Sequence, residues 1–312
     1  MIKKVLIFHT WGIGDWLMIS PIIKNILKRY SVEQILVLTG SNSVSNFISQ
    51  IYNIQVININ DPINIYLLPK IFINKYDLFF AGAGYNIKKY FLLNFLIRAE
   101  KKLSFNQYIS ICRIKFNNHR ITSNVSLYNA LGMDKITEEY YIPNNTCIKD
   151  IDLCIQVGSD SNQAFKRWPI SHWQDLLRLL KKDQPLLNLK IILGPSELKY
   201  KNRFLDIADV VICPSYPELV ELISRTRLLV SSDSGIAHLA SSLNIFTATI
   251  FGATDHNIFR PYSNNILIKS NNLLSCQPCV PFGIYGCELQ PCMKLILPDT
   301  VAGRVLDLLR KL

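Results

Sequence analysis

Val5-Leu6-Ile7-Phe8-His9-Thr10-Trp11-Gly12-Ile13-Gly14-Asp15 decides the fold, together with Ile19, Ile22, Ile23, Ile26 and Leu27 behind it. A short apolar run ends at two glycines, and apolar positions then recur three and four residues apart, so the chain reads as strand, tight loop, helix. The alternation continues outward. Residues 35–38, 55–59 and 78–81 read as further strands with polar connections. The second half repeats the pattern, with strands at 153–157, 191–193, 210–213, 228–231 and 248–251 and helices at 172–180 and 217–224. Such alternation predicts parallel sheets covered by helices. With 312 residues the chain is longer than one core usually serves, and Pro143-Asn144-Asn145-Thr146 is turn chemistry. Two domains are expected, 1–149 and 150–312.

Apolar runs stay far below the ~20 residues needed to span a bilayer, and the N-terminal run meets His9 too early for a secretory leader. A cytoplasmic protein is expected. The net charge of +11 is uneven: residues 1–149 hold 17 Lys and Arg against 8 Asp and Glu, residues 150–312 hold 17 against 15. Lys88, Lys89, Arg98, Lys101, Lys102, Arg113, Lys115 and Arg120 are opposed only by Glu100 and flank the apolar group Tyr90, Phe91, Leu92, Leu93, Phe95, Leu96 and Ile97. The stretch suits either an anionic membrane surface or a solvated helix with an ordinary core-facing stripe.

Gly12-Ile13-Gly14 does not complete a dinucleotide fingerprint, because the third glycine falls on Leu17. The loop does carry Asp15, at the strand-to-helix edge where open α/β sheets collect ligands. It is suited to be a base, but the position by itself favours a helix cap. In the second half, residues 228–231 run into Ser232-Asp233-Ser234-Gly235 and then the apolar Ile236, Ala237, Leu239, Ala240 and Leu243. Backbone amides at such a helix start, with the Ser234 hydroxyl, suit a diphosphate. Asp233 would repel phosphate and makes better sense as an acceptor for sugar hydroxyls or a cap. His238, one turn on, either approaches the phosphates or is packed in the core. Gly158-Ser159-Asp160 follows another strand and leads to Lys166-Arg167-Trp168-Pro169. Lys166 is the candidate for neutralising a leaving diphosphate, with Arg167 in support or merely solvated.

Cys276, Cys279, Cys287 and Cys292 cluster among Pro278, Pro281, Gly283 and Gly286, at a spacing suited to one tetrahedral structural zinc or iron, or else to free thiols in a surface loop. Cys112, Cys147, Cys154 and Cys213 are scattered and read as reduced residues, mostly buried.

Several of these segments, in order, resemble the lipopolysaccharide heptosyltransferases, glycosyltransferase family nine. They are Gly14-Asp15-Trp16-Leu17-Met18-Ile19-Ser20-Pro21, Lys166-Arg167-Trp168-Pro169, Ile191-Ile192-Leu193-Gly194-Pro195-Ser196-Glu197, Asp233-Ser234-Gly235-Ile236-Ala237-His238-Leu239-Ala240, and Phe251-Gly252-Ala253-Thr254-Asp255 with Arg260-Pro261-Tyr262. The resemblance implies an α/β GT-B fold, two Rossmann-like domains with parallel sheets facing across a cleft. The acceptor would bind the first domain and the donor the second, and a closing helix at 299–312 would reach back to the first. It implies an inverting, metal-independent glycosyltransferase moving a sugar, heptose by default, from an ADP-sugar or other nucleotide-diphosphate sugar to a lipopolysaccharide core or related surface glycan. Asp15 would be the general base and Lys166 the leaving-group cation. Gly158, Ser159, Lys166, Arg167, Glu197, Asp233, Ser234, Gly235 and His238 would bind the donor, with Glu197 near the nucleoside. Trp11, Gly12 and Gly14 would meet the acceptor, an anionic glycolipid reached by peripheral contact with the cytoplasmic face of the inner membrane. No catalytic cofactor and no nucleic acid are implied. Trp16 is bulkier than the aliphatic residue usual after the aspartate.

Two rival readings stand beside this one. A nucleotide-sugar hydrolase or 2-epimerase would use the same phosphate pocket. A basic membrane- or nucleic-acid-binding module would rest on charge alone and leave Asp15, Lys166 and Asp233 without a purpose.

Overall fold

A computed structural model describes residues 2–29, 34–81, 95–104, 119–129, 136–143, 148–159, 161–212, 215–279, 287 and 289–312. Lys88, Lys89, Tyr90, Phe91, Leu92, Leu93, Cys112, Arg113, Lys115, Cys147, Asp160, Cys213, Pro281, Gly283 and Gly286 lie outside the described residues. The chain divides into two compact units, Met1–Pro143 and Asn144–Leu312.

The first unit runs β1 (Lys4–His9), α1 (Ile13–Arg29), β2 (Gln34–Thr39), α2 (Asn42–Tyr52), β3 (Gln55–Asn58), a 3-10 turn (Pro62–Leu67), α3 (Leu68–Ile73), β4 (Lys75–Ala81), β5 (Arg98–Ser104) and α4 (Arg120–Asn129). Its strands form one parallel sheet in the order β3-β2-β1-β4-β5. β1 is central, and Val5, Leu6, Ile7 and Phe8 are all buried. That is why it reads as a continuous apolar run instead of an alternating one. The order reverses between β1 and β4, which makes the loop after β1 a switch point.

Residues 98–104 are an edge strand and not part of a basic helix. Lys75 pairs with Arg98 across the β4–β5 ladder, and Lys75 meets Glu100 at 3.6 Å. Charge on an edge strand discourages pairing with other chains. Arg120, counted in the same basic stretch, is buried at the start of α4 and offers nothing to a membrane surface.

The second unit runs β6 (Ile151–Gln156), a 3-10 turn (Ser161–Lys166), α5 (Ile170–Asp183), β7 (Leu189–Ile192), a second 3-10 turn (Pro195–Arg203), β8 (Asp209–Val211), α6 (Tyr216–Ser224), β9 (Thr226–Ser232), α7 (Gly235–Ser242), β10 (Phe246–Ile250), α8 (His256–Phe259), β11 (Asn265–Ile268), α9 (Pro291–Lys294) and α10 (Pro298–Leu309). The sheet order is β11-β10-β9-β6-β7-β8, parallel throughout. Here the order reverses between β6 and β9, so the loops after these two strands flank the ligand-collecting crevice of the unit.

Trp168 anchors the core beneath that crevice. Its indole N–H donates to the Ile296 carbonyl at 2.8 Å, and its ring meets Trp173 edge-on at 4.8 Å. Val301, Ala302, Val305, Leu308 and Leu309 bury the inner face of α10 in the same core, where α10 packs on α5. Among the described residues no helix is long and apolar enough to cross a membrane.

Candidate active site

α1 begins at Ile13, and Trp16 N–H donates to Gly12 C=O at 3.1 Å, so Asp15 sits inside the first helical turn and is not its cap. A carboxylate there gains from the positive end of the helix. Gly12 leaves room beside it: a Cβ at that position would stand 3.9 Å from Asp15 Oδ2. The Arg120 guanidinium feels this carboxylate directly. Burial lowers the Arg120 pKa, and the Asp15 charge opposes that lowering. An acid on α1 and a buried cation on α4 thus form one electrostatic unit, fixed by the packing of the two helices. Asn124 Nδ2 donates to Met18 C=O at 3.2 Å, and Tyr128 Oη to Asn25 Oδ1 at 2.8 Å.

The floor of this loop is aromatic. His9 Nε2 donates to Gly12 C=O at 3.2 Å and its ring meets Trp16 edge-on at 5.6 Å. Trp16 in turn meets Tyr52 at 5.5 Å, and Tyr52 donates its hydroxyl to Tyr141 C=O at 2.6 Å. The bulky Trp16 is therefore a core residue under the loop. Burial pushes His9 down to about 4, against 6.5 for the free side chain.

A proton-binding difference follows. Between those two values the unfolded chain binds a proton that the folded chain refuses, so stability is complete above pH 6.5 and declines as pH falls toward 4. Denaturant titrations of the wild type should lose about 3 kcal/mol across that window, and His9→Gln should lose clearly less. Equal losses would show that another group carries the pH dependence.

In the second unit, Lys166 ends the 3-10 turn after β6 and places Nζ 2.8 Å from Asp233 Oδ2, beyond β9. The pair is nearly buried, the side chains being 13% and 7% exposed. Thr254 Oγ1 donates to the same carboxylate oxygen at 2.6 Å, and Asp233 N–H donates to Ile250 C=O at 3.2 Å. Asp233 Oδ2 thus holds the Lys166 ammonium in this structure.

Ser234 precedes α7 in an extended conformation but does not cap it. Its hydroxyl donates to Gln156 Oε1 at 3.1 Å instead, which leaves the first turn of α7 open toward an anion. His238 is buried inside α7. Neither Gln156 nor Thr254 is distinguishable in sequence from an ordinary strand-end polar residue.

On the other side of β6, Glu197 is buried in the first turn of the 195–203 segment. Its Oε1 accepts from Arg167 Nη2 at 3.2 Å. The carboxylate sits where two glycines leave space: a Cβ on Gly158 would come within 2.2 Å of the Glu197 carboxyl carbon, and one on Gly194 within 2.8 Å of Oε2, so either would force the Glu197 side chain to move. Ser159 is buried beside them.

Of the clustered cysteines, Cys279 and Cys292 are buried, Cys287 is half-buried and Cys276 is exposed, all four as free thiols. Burial pushes the Cys292 thiol up to about 11, and Cys279, Cys287 and Cys276 add to the rise. Cys292 therefore feels the other three, yet among the described residues no three His, Cys, Asp or Glu side chains converge as a metal ion requires. The segment docks under the site: Cys279 N–H donates to Ala253 C=O at 2.8 Å and Gln277 Nε2 to Gly252 C=O at 2.6 Å, next to Thr254.

Known proteins place this architecture. Lipopolysaccharide heptosyltransferase 1 of Salmonella typhimurium is 28% identical over 124 residues, 36% of this chain and 38% of that protein. The chain thus matches well under half the length of this curated relative. The solved E. coli heptosyltransferase WaaC with ADP superimposes with a TM-score of 0.75 at 17% identity, over 98% of this chain and 100% of that one. The iron-containing dodecameric glycosyltransferase TibC of enterotoxigenic E. coli H10407 matches with a TM-score of 0.60 at 16% identity, over 100% and 79% of the chains. These likenesses make the paired parallel-sheet α/β units those of the GT-B fold. The family model of glycosyltransferase family 9 (heptosyltransferase) matches residues 142–283, a span that takes in both sides of the β6–β9 switch point.

Proposed function

We propose that the chain is an inverting glycosyltransferase that moves a sugar, heptose by default, from an ADP-sugar to a lipopolysaccharide-core or related glycan acceptor. One observation carries the reading: a nearly buried ammonium, Lys166, is fixed 2.8 Å from Asp233 at the sheet's switch point, beside the open first turn of α7. A leaving diphosphate needs that arrangement, fixed positive charge where negative charge develops. Gly158 and Ser159 line the same strand end, and Ser234, Gly235 and His238 belong to the α7 start. Asp233, steadied by Lys166 and Thr254, would offer its remaining oxygen to the donor sugar, and Glu197 would accept from the nucleoside. The ADP donor is taken from WaaC, whose structure holds ADP.

Asp15 is assigned as the base. It would take the acceptor hydroxyl proton as the new glycosidic bond forms and the bond to the diphosphate breaks, with Trp11, Gly12 and Gly14 framing the acceptor. Lys166 and the α7 amides supply the neutralising charge, so transfer should proceed undiminished in excess chelator. The test is sugar transfer from ADP-heptose to a lipopolysaccharide-core acceptor in EDTA, with UDP- and GDP-sugars alongside. Sugar release at full rate without acceptor would favour hydrolysis or epimerisation, and chelator-sensitive transfer would remove metal independence.

Two finer assignments accompany this. A structural zinc or iron at Cys276, Cys279, Cys287 and Cys292 is supported by their spacing and by the influence of the other three on Cys292, and TibC is an iron-containing relative. The ion would have to draw the thiols closer than they stand here, and it supplies no catalytic step. Stoichiometric metal in protein purified without added zinc or iron is the expected result, and metal-free, fully folded protein would end the idea. Peripheral attachment to an anionic inner-membrane surface is supported by the basic first unit and by exposed Ile63, Tyr66, Ile73 and Phe95. Co-flotation with anionic vesicles and not with neutral ones would bear it out, and flotation with neither would remove it.

A further inference from the structure

We propose that Arg167 is a positioning residue that aims Glu197 at the ribose of the donor nucleotide. The proposal rests on the reading that Glu197 meets the nucleoside, and it concerns what holds that carboxylate in place.

The guanidinium spans two strand ends. Nη2 donates to Ser159 C=O at 2.8 Å, and Nε lies 3.3 Å from Ser159 Oγ, both in the loop after β6. The same Nη2 reaches Glu197 Oε1 at 3.2 Å and Ser196 Oγ at 3.4 Å, in the segment after β7. Ser159 is itself fixed, since its hydroxyl donates to Gln163 C=O at 2.9 Å, and Arg167 N–H donates to Ala164 C=O at 3.0 Å. Arg167 is therefore tied at its backbone and at its tip, with its side chain 19% exposed against 5% for Glu197.

The carboxylate has been given a shaped seat. Gly158 and Gly194 leave out the two methyl groups that would strike it: one on Gly158 would meet both carboxylate oxygens and one on Gly194 only Oε2, while Oε1 accepts from Arg167 and from the Ser196 hydroxyl. A buried carboxylate held by one oxygen keeps the other oxygen's lone pairs for a ligand hydroxyl. A vicinal diol such as ribose presents such hydroxyls.

Lys166 and Arg167 then have complementary tasks. From one turn after the central strand β6, Lys166 reaches Asp233 beyond β9, and Arg167 reaches Glu197 beyond β7. Adjacent residues serve the two flanks of the crevice. Lysine could not replace Arg167, because a point ammonium cannot serve Ser159 and Glu197 with a planar fork.

Calorimetric binding of ADP, 2′-deoxy-ADP and 3′-deoxy-ADP tests this on wild type, Arg167→Lys, Arg167→Ala and Glu197→Gln. Wild type should bind ADP about tenfold or more tightly than at least one deoxy analogue, as expected when a hydrogen bond to a charged acceptor is lost. Glu197→Gln should erase most of that ratio. Arg167→Ala should bring it within about threefold and Arg167→Lys should fall between, because the carboxylate is present but no longer aimed. A general loss of packing would weaken all three ligands equally and leave the ratio intact, and that outcome would overturn the proposal. If Glu197→Gln loses the ratio and both Arg167 variants keep it, Arg167 is not the positioning group. If wild type shows no ratio at all, the assignment of Glu197 to the ribose fails first and takes this one with it.

Discussion

Asp15→Asn should lower turnover by about 10²–10⁴-fold, roughly 3–5 kcal/mol of barrier, with nucleotide binding retained. The substitution keeps the shape and a hydrogen-bond acceptor at the third residue of α1 but removes the capacity to take a proton. Nucleotide affinity should hold because Asp15 and the proposed diphosphate site belong to different units, Met1–Pro143 and Asn144–Leu312. Arg120 makes the experiment sharper. Its buried guanidinium loses its anionic neighbour in the variant, so a modest drop in melting temperature should accompany the kinetic loss. Wild-type turnover in Asp15→Asn would take the residue out of the mechanism. A variant that melts much earlier and binds no nucleotide would point to a structural role instead.

The sequence revealed most of this fold because the central strands are apolar on both faces. Residues 5–8, 153–157 and 228–231 could be read as strands from composition alone, and each is in the middle of its sheet. The strands that escaped are both edges. β5 carries Arg98, Glu100, Lys101 and Lys102 and so lacks the apolar run that marks a buried strand, whereas β11 has only the short run Ile266-Leu267-Ile268 between Asn265 and Lys269. The same limit explains Arg120. A run of cations in sequence looks like one surface, and only the packing of α4 on α1 shows that Arg120 is buried beside an acid while Arg98 and Lys101 are exposed.

Within the candidate site, residue types were legible and partnerships were not. Gly158, Lys166, Glu197 and Asp233 are recognisable from motif spacing. That the Glu197 carboxylate sits against both Gly158 and Gly194 is a fact about where two loops meet. That Arg167 is engaged by two loops, when the sequence allowed it to be merely solvated, is another. His9 interrupts an apolar run and signals nothing more, yet it ties down the loop that carries Asp15.

Lys166→Met should injure the protein twice, and the two injuries can be separated. The substitution leaves the nearly buried Asp233 carboxylate with the Thr254 hydroxyl as its side-chain donor and, among the described residues, no cation beside it, a change that typically costs about 3–5 kcal/mol of stability. It also removes the charge proposed to meet the leaving diphosphate, for which a loss of about 10²–10³-fold in turnover is typical of a preorganised group. Adding Asp233→Asn neutralises the abandoned carboxylate, so the double variant should recover much of the melting temperature. It should not recover transfer, because nothing in it replaces the ammonium. Recovery of both would mean that Lys166 serves only to pair with Asp233. Turnover within about tenfold of wild type in the single variant would mean that the diphosphate is neutralised elsewhere, and the open first turn of α7 would then have to carry that task alone.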